Sequence, residues 1–283
     1  MSDSQPHGTP AAPSLADVQR VRTVHLQRAK DAGEKFSMLT SYDVLTAGIF
    51  DRAGVDILLV GDSLGNTVLG HDSTLPVTLE HMTTLAAAVA RGAQRAMVLV
   101  DLPFGSYEES PAQAVRSAVR IMKESGAHAV KIEARADLAQ HVAAVVRAGI
   151  PVMGHVGFTP QSEHALGGFR IQGRGAAAQQ LLDDARAMQD AGCFAVLLEM
   201  VSADAAAAVE DALDVPTVGI GAGDVTTGQV LVWQDMLGLR TGPMPRFVKQ
   251  YAQLAELASE AVSAYVADVR SGAFPAEEHS YRG

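Results

Sequence analysis

Six short apolar runs in this 283-residue chain each end on a group that could do chemistry. Val60 leads into Gly61-Asp62-Ser63, Val100 into Asp101-Leu102-Pro103, and Ile132 separates Lys131 from Glu133. Gly154 is followed by His155, Leu198 by Glu199, and Gly219-Ile220 opens into Gly221-Ala222-Gly223. A buried ion that keeps neither water nor a partner costs several kcal/mol. Several carboxylates at one level would also repel each other. One divalent cation answers both problems, and an all-oxygen donor set completed by water or substrate suits Mg²⁺. Zinc does not fit, because no Cys/His cluster has ligand spacing.

Asp62, Asp101 and Glu133 are therefore the candidate metal ligands. Lys131 and Glu133 are two apart on a strand and project from the same face, so the lysine can hold an anionic oxygen of substrate beside the metal. Taken singly, the pair could be an internal salt bridge and each aspartate a loop cap. Glu199 ends its own apolar strand with no lysine near it in sequence. Desolvation there should raise its pKa toward the range of a general base, the alternative being a cap or a supporting role behind a metal ligand. His155 could touch substrate or stay neutral behind a ligand carboxylate. His71, His81, His128, His141, His164 and His279 show no spacing pattern and read as structural or surface. Gly219–Gly223 has a weak likeness to a phosphate loop and more simply shapes a wall of the site.

The elements that must hold these groups repeat. Apolar runs at Phe36–Thr40, Asp56–Val60, Ala96–Val100, Ala129–Glu133, Ile150–His155, Ala195–Glu199 and Pro216–Ile220 suit parallel strands covered on both faces. An eighth is expected near Leu237–Thr241. Amphipathic stretches at Leu79–Arg91, Ala112–Lys123, Leu138–Arg147 and Ala176–Asp190 lie between them. Ala53-Gly54, Gly92-Ala93, Gly126-Ala127, Ala148-Gly149 and Ala191-Gly192 each precede a strand, where glycine can close a helix in the left-handed conformation. Seven or eight such units without a linker predict a (β/α)₈ TIM barrel, in which chemistry sits at the C-terminal strand ends. Residues 1–16 read as a disordered leader without secretory features, and 17–283 as one barrel domain whose last segment, Arg246–Ser271, is a long helix or helix pair.

Composition excludes several classes. With 48% hydrophobic and 19% charged residues the chain is of ordinary globular type. A formal net charge of −10 argues against nucleic acid and weakly against an anionic membrane surface. No run of eighteen apolar residues suggests a membrane span. The single cysteine, Cys193, rules out an internal disulfide and reads as a buried hydrophobe. The cytoplasm is the default location.

The motifs MLTSYD (Met38–Asp43), VGDSLGNTVLGHDSTLPVT (Val60–Thr78), DLPF (Asp101–Phe104), VKIE (Val130–Glu133), GHVGFTPQS (Gly154–Ser162), GGFRIQGRG (Gly167–Gly175), LLE (Leu197–Glu199), GIGAG (Gly219–Gly223) and EEHSY (Glu277–Tyr281) follow one another along the chain. In that order the sequence resembles the ketopantoate hydroxymethyltransferase (3-methyl-2-oxobutanoate hydroxymethyltransferase) family. The resemblance implies a phosphoenolpyruvate mutase-like barrel that moves a hydroxymethyl group from 5,10-methylenetetrahydrofolate to 2-oxoisovalerate, through a Mg²⁺-stabilised enolate, in pantothenate biosynthesis. It implies Asp62, Asp101 and Glu133 as magnesium ligands, Asp62, Ser63, Asp101 and Lys131 as keto-acid contacts, Glu199 as proton acceptor, and a homo-oligomer, often a decamer. Gly105 and Glu108-Glu109 fall in a variable loop. One rival is a Mg²⁺-dependent carbon–carbon lyase or aldolase on 2-oxo acids, which the strand position of Cys193 disfavours. The other is a non-catalytic metabolite-binding barrel.

Overall fold

The computed structural model describes residues 14–283. Eight parallel strands close into a barrel in chain order: β1 (Phe36–Thr40), β2 (Ile57–Val60), β3 (Met97–Asp101), β4 (Ala129–Glu133), β5 (Val152–Gly157), β6 (Ala195–Glu199), β7 (Thr217–Ile220) and β8 (Gly228–Leu231). Seven of them fall within two residues of the expected runs. Compact units divide after Val230, the second running Leu231–Gly283. Most of the expected leader lies outside the described residues. At its end, Leu15–Asp17 forms a short 3₁₀ turn with Leu15 buried.

The eighth strand is not at Leu237–Thr241. It lies nearer, at Gly228–Leu231, and the described residues 221–227 before it contain no helix. Leu237 instead caps the short helix Trp233–Met236. Two physical reasons hide β8 in the sequence. It has four residues with Gln229 exposed, so no apolar run stands out. It also starts with Gly228, because a Cβ there would sit 2.4 Å from the Phe36 ring that closes the barrel. The last long helix is Leu254–Ser271, shorter than the expected Arg246–Ser271.

Strand pleating decides what enters the barrel. Phe36, Met38, Ile57, Leu59, Met97, Leu99, Ala129, Met153, Ala195, Leu197, Val218 and Val230 form one buried cluster, with Leu15, Val21, Leu26 and Ala29 packed into it. On each strand these are alternate residues, as a two-residue period requires. Extending that period by one step from Leu99, Ala129, Met153 and Leu197 reaches Asp101, Lys131, His155 and Glu199. The inward row thus changes from apolar to polar toward the C-terminal strand ends.

Local chemistry starts the helices where they are needed. Asp43 accepts from Leu45 N and Thr46 N to cap Val44–Arg52, Thr78 pairs with His81 in a capping box for Leu79–Gly92, and Ser110 with Pro111 opens Pro111–Ser125. Buried Asp51 accepts three backbone N–H groups, from Gln94, Arg95 and Ala96, and so fixes the entry to β3. Gly54, Gly126, Gly149 and Gly192 do take the left-handed conformation before strands. Gly92 does not. It ends its helix in close contact with the helix Val44–Arg52, and a Cβ would meet Val44 O at 2.5 Å and Ala47 Cβ at 2.8 Å. Gly92→Ala should therefore lose about 1–3 kcal/mol of stability despite better helix propensity, a fall in Tm of roughly 2–8 °C. A thermal melt at or above the parent value would show that the two helices can separate at no cost.

Candidate active site

The sheet register aligns the polar row. Asp101 pairs across the sheet with Lys131, Glu133 with His155, and Gly157 with Glu199. Asp62 and Ser63 lie beyond β2, in the turn into the short helix Leu64–Thr67. Asp62, Asp101, Lys131, Glu133 and His155 are all buried. The structure therefore brings together the residues picked out from the sequence, at one end of the barrel.

Around Lys131 the contacts are tight. Its Nζ is 3.1 Å from Asp101 Oδ1 and 3.1 Å from His155 Nδ1. Lysine has only donors, so Nδ1 must accept, and the neutral imidazole carries its proton on Nε2. That nitrogen lies 3.3 Å from Glu199 Oε2, and Nδ1 lies 3.6 Å from Glu133 Oε1. His155 thus lies between the ammonium on β4 and the carboxylate on β6, bonded to the first and close to the second without an aligned hydrogen bond. Burial, reinforced by the Lys131 charge, holds its pKa well below the ordinary histidine value.

Asp101 Oδ2 accepts the Asp62 backbone N–H at 3.1 Å. Gly61 allows that approach, since a Cβ would stand 3.0 Å from Ser63 Oγ and 3.5 Å from Asp101 Oδ2. Ser63 Oγ shares a hydrogen bond of 2.8 Å with Tyr42 OH. Desolvation pushes the Tyr42 hydroxyl up to about 12, so it stays protonated.

Electrostatics set the character of the site. Burial and the neighbouring Asp101 push Asp62 up to about 7. Burial and Asp62 lift Glu133 well above the carboxylate range. Glu199 is pushed up to about 7 by burial, with Lys131 opposing. Burial works against the Lys131 charge, but Asp101, Glu133 and Asp62 outweigh it and raise its pKa. Among the described residues, then, four carboxylates gather around one ammonium.

Two carboxylate oxygens there, Asp101 Oδ1 and Glu133 Oε1, are buried without a hydrogen bond. Lys131 is within ion-pair reach of the first but not aligned to donate to it. Orphaned, mutually repelling oxygens are what a hard divalent cation relieves, so these oxygen donors suit such an ion. No three His, Cys, Asp or Glu side chains among the described residues converge as a complete ligand set. A cation here would take one or two carboxylates directly and fill its remaining positions with water or substrate.

Sequence reasoning gave no role to three residues that the structure draws in. Gln161, on the 3₁₀ turn Pro160–Ser162 after β5, donates through Nε2 to Asp62 Oδ2 at 2.8 Å and to Leu102 O at 3.0 Å. Its backbone N–H donates to Glu133 Oε2 at 3.0 Å. Tyr107 OH donates to Gln161 Oε1 at 2.6 Å and lies 3.0 Å from Glu133 O. Glu108, placed in a variable loop, accepts from Gly105 N and Tyr107 N and so shapes the loop that carries Tyr107. None of these bears a strand-end charge, and only the neutral GFTPQS stretch held a trace of them. Cys193 is buried near β6, away from any catalytic use, and burial pushes its thiol up to about 12. The Gly219–Gly223 loop turns back on its own segment, with Gln229 Nε2 donating to Gly223 O.

The barrel belongs to a recognisable structural class. It is similar to a 2,3-dimethylmalate lyase of the PEP mutase/isocitrate lyase superfamily, with TM-score 0.59 and 19% identity over 91% of each chain. It is also similar to a phosphonopyruvate hydrolase in complex with oxalate and Mg++, with TM-score 0.56 and 14% identity over 92% of this chain and 93% of that one. These likenesses define a phosphoenolpyruvate mutase-like TIM barrel. The ketopantoate hydroxymethyltransferase family model matches residues 20–277. Curated relatives named 3-methyl-2-oxobutanoate hydroxymethyltransferase are 61% identical in Paenarthrobacter aurescens (strain TC1), over 98% of this chain and 94% of that one, and 58% identical in Saccharopolyspora erythraea, over 98% and 95%. The chain belongs to the ketopantoate hydroxymethyltransferase family and is an enzyme of that family. No helix among the described residues is long and apolar enough to cross a membrane.

The charge imbalance has a pH signature. Asp62 and Glu199 bind protons more tightly in the folded protein, each near 7 against an ordinary carboxylate value. Their stabilising contribution is therefore present below the unfolded pKa of about 4 and is lost as pH rises through about 7. With divalent cations chelated, stability should fall between about pH 5 and pH 8, by on the order of 3 kcal/mol per group at most. Asp62→Asn should flatten part of that slope. Denaturant melts at both pH values check this, and equal slopes for parent and variant would remove Asp62 from the account.

Proposed function

We propose that this enzyme transfers a hydroxymethyl group from 5,10-methylenetetrahydrofolate to 2-oxoisovalerate (3-methyl-2-oxobutanoate), giving ketopantoate. Family membership supports the transfer. The observation that supports the site assignment is Lys131, set among buried carboxylates with His155 between it and Glu199 on another wall of the barrel.

Asp62 and Asp101 would hold a Mg²⁺ ion, with Glu133 binding it directly or through a water. When bound, the ion supplies Lewis-acid polarisation of the substrate carbonyl, worth several kcal/mol. Lys131 takes an anionic oxygen of the keto acid. Ser63, its hydroxyl held by Tyr42, presents a second polar contact at the same mouth. These groups orient the substrate so that its branched carbon faces Glu199.

Glu199 then accepts the proton from that carbon as the C–H bond breaks and its electron pair moves toward the carbonyl. A carboxylate with an ordinary pKa would be a weaker acceptor; desolvation to about 7 matches it to neutral pH. His155 Nε2 lies 3.3 Å from Glu199 Oε2, close to the carboxylate without an aligned hydrogen bond to it. The nucleophilic carbon forms its new bond to the one-carbon unit of the folate, opened to its iminium form. Water supplies the hydroxyl of that carbon as its bond to the folate nitrogen breaks; the nitrogen keeps the electron pair and takes the water proton, and tetrahydrofolate leaves.

Glu199→Gln should bind keto acid nearly as well as the parent while slowing deuterium exchange at its C3 by about 10²–10⁴-fold. In the parent, exchange should rise with pH through about 7 and level off above it, because only the ionised carboxylate accepts a proton. Rapid exchange in the variant, followed by NMR, would take the base role from Glu199.

Omitting metal and folate in turn separates this reading from its rivals. Chelation with EDTA should stop both exchange and product formation. Omitting methylenetetrahydrofolate should stop only product formation. Turnover of the keto acid without folate would favour a carbon–carbon lyase, and full activity after exhaustive chelation would end the metal assignment.

A further inference from the structure

We propose that Gln161 is a positioning residue for this reaction, its carboxamide aiming the Asp62 carboxylate into the site. The proposal rests on the reading of Asp62 as a contact for cation and keto acid. Asp101, Lys131 and Glu133 are strand residues, and the pleat itself turns them inward. Asp62 is not. It stands two residues past the end of β2, where the sheet no longer dictates direction. A carboxylate also turns easily about its last bond, because that torsion is broad and nearly two-fold. Something else must choose its orientation.

The carboxamide of Gln161 makes that choice in one sense only. Nε2 faces two acceptors, Asp62 Oδ2 and Leu102 O, at 2.8 and 3.0 Å. Turning the amide over would set its oxygen against both. The Tyr107 hydroxyl, donating to Oε1 at 2.6 Å, holds the same orientation from the other side. The group is buried, so water does not compete for these bonds. Asp62 Oδ2 is therefore committed to Gln161, which leaves the other carboxylate oxygen for a cation.

The main chain of Gln161 does a separate task, donating to Glu133 Oε2 at 3.0 Å. Every residue but proline keeps that N–H, so side-chain variants such as Gln161→Met act on Asp62 and leave the donor to Glu133 in place. The residue thus ties together the ends of β2, β3 and β4 from a turn that follows β5.

Titration of the metal-free protein with Mn²⁺ alone, by calorimetry, tests the assignment in parent, Gln161→Met, Tyr107→Phe and Asp62→Ala. Gln161→Met keeps length and loses both donor bonds; it should weaken Mn²⁺ binding by about tenfold or more and raise KM for the keto acid. Tyr107→Phe removes one hydroxyl and should move both in the same direction by a smaller factor. It carries the test if Gln161→Met does not fold. A merely structural role would lower Tm without changing Mn²⁺ affinity. Parent-like Mn²⁺ binding in Gln161→Met and Tyr107→Phe, with binding lost in Asp62→Ala, overturns the role of Gln161 alone. Parent-like binding in Asp62→Ala as well overturns the ligand reading of Asp62 and this proposal with it.

Discussion

Lys131 sits on the inward row of β4 among buried carboxylates, and the rest of the site depends on that one buried ammonium. Desolvation alone would strip its charge. Asp101, Glu133 and Asp62 keep it charged, and it in turn offsets their repulsion. The compensation is incomplete, because four carboxylates face it and His155 stays neutral. Replacing such a set with hydrophobic residues is often neutral or stabilising in other proteins. A charge surplus retained at the mouth of a well-packed barrel is therefore better explained by what it binds than by stability. It also explains the orphaned oxygens of Asp101 and Glu133, which a purely structural network would have paired.

The scaffold serves this constraint by register. Strands of a closed parallel barrel cannot slip by one residue without turning every inward side chain outward. The cross-strand pairs Asp101 with Lys131 and Glu133 with His155 are thus fixed by the same packing that buries Met97, Leu99 and Met153 below them. The apolar interior and the polar mouth are successive levels of one pattern. Asp51, accepting three N–H groups where β3 begins, fixes one of the strands that carry it.

This pattern made most of the fold, and the charged part of the site, legible in the sequence. Runs such as Met97–Val100 and Ala195–Leu198 are apolar throughout, and the charge that follows each is conspicuous. The misses share a cause, which is that the information lay in contacts and not in the run itself. β8 is short, half-exposed and reached without a helix, so its place depends on Phe36 across the closing seam. Gly92 looked like a turn residue and is a contact between helices. Gln161 and Tyr107 carry no charge and lie in loops, and their importance comes from which oxygens they meet. His155 was visible as a strand-end residue, but its tautomer follows only from the lysine beside it.

That tautomer links the two halves of the proposed chemistry. With Nδ1 accepting from Lys131, the proton must be on Nε2, toward Glu199. The ring thus stands between the residue that would hold the substrate anion and the residue that would take its proton. A protonated histidine would do this badly: it would repel Lys131 and compete for the carboxylate charge that makes Glu199 a base. Burial beside the ammonium prevents that protonation. The lysine therefore acts on Glu199 in two ways, and both favour the ionised carboxylate. Its charge lowers the Glu199 pKa across the site, while its hydrogen bond keeps a neutral donor against that carboxylate. Desolvation wins over both, which leaves Glu199 near neutrality, where its two protonation states are comparably populated and the proposed proton transfer is easiest in either direction.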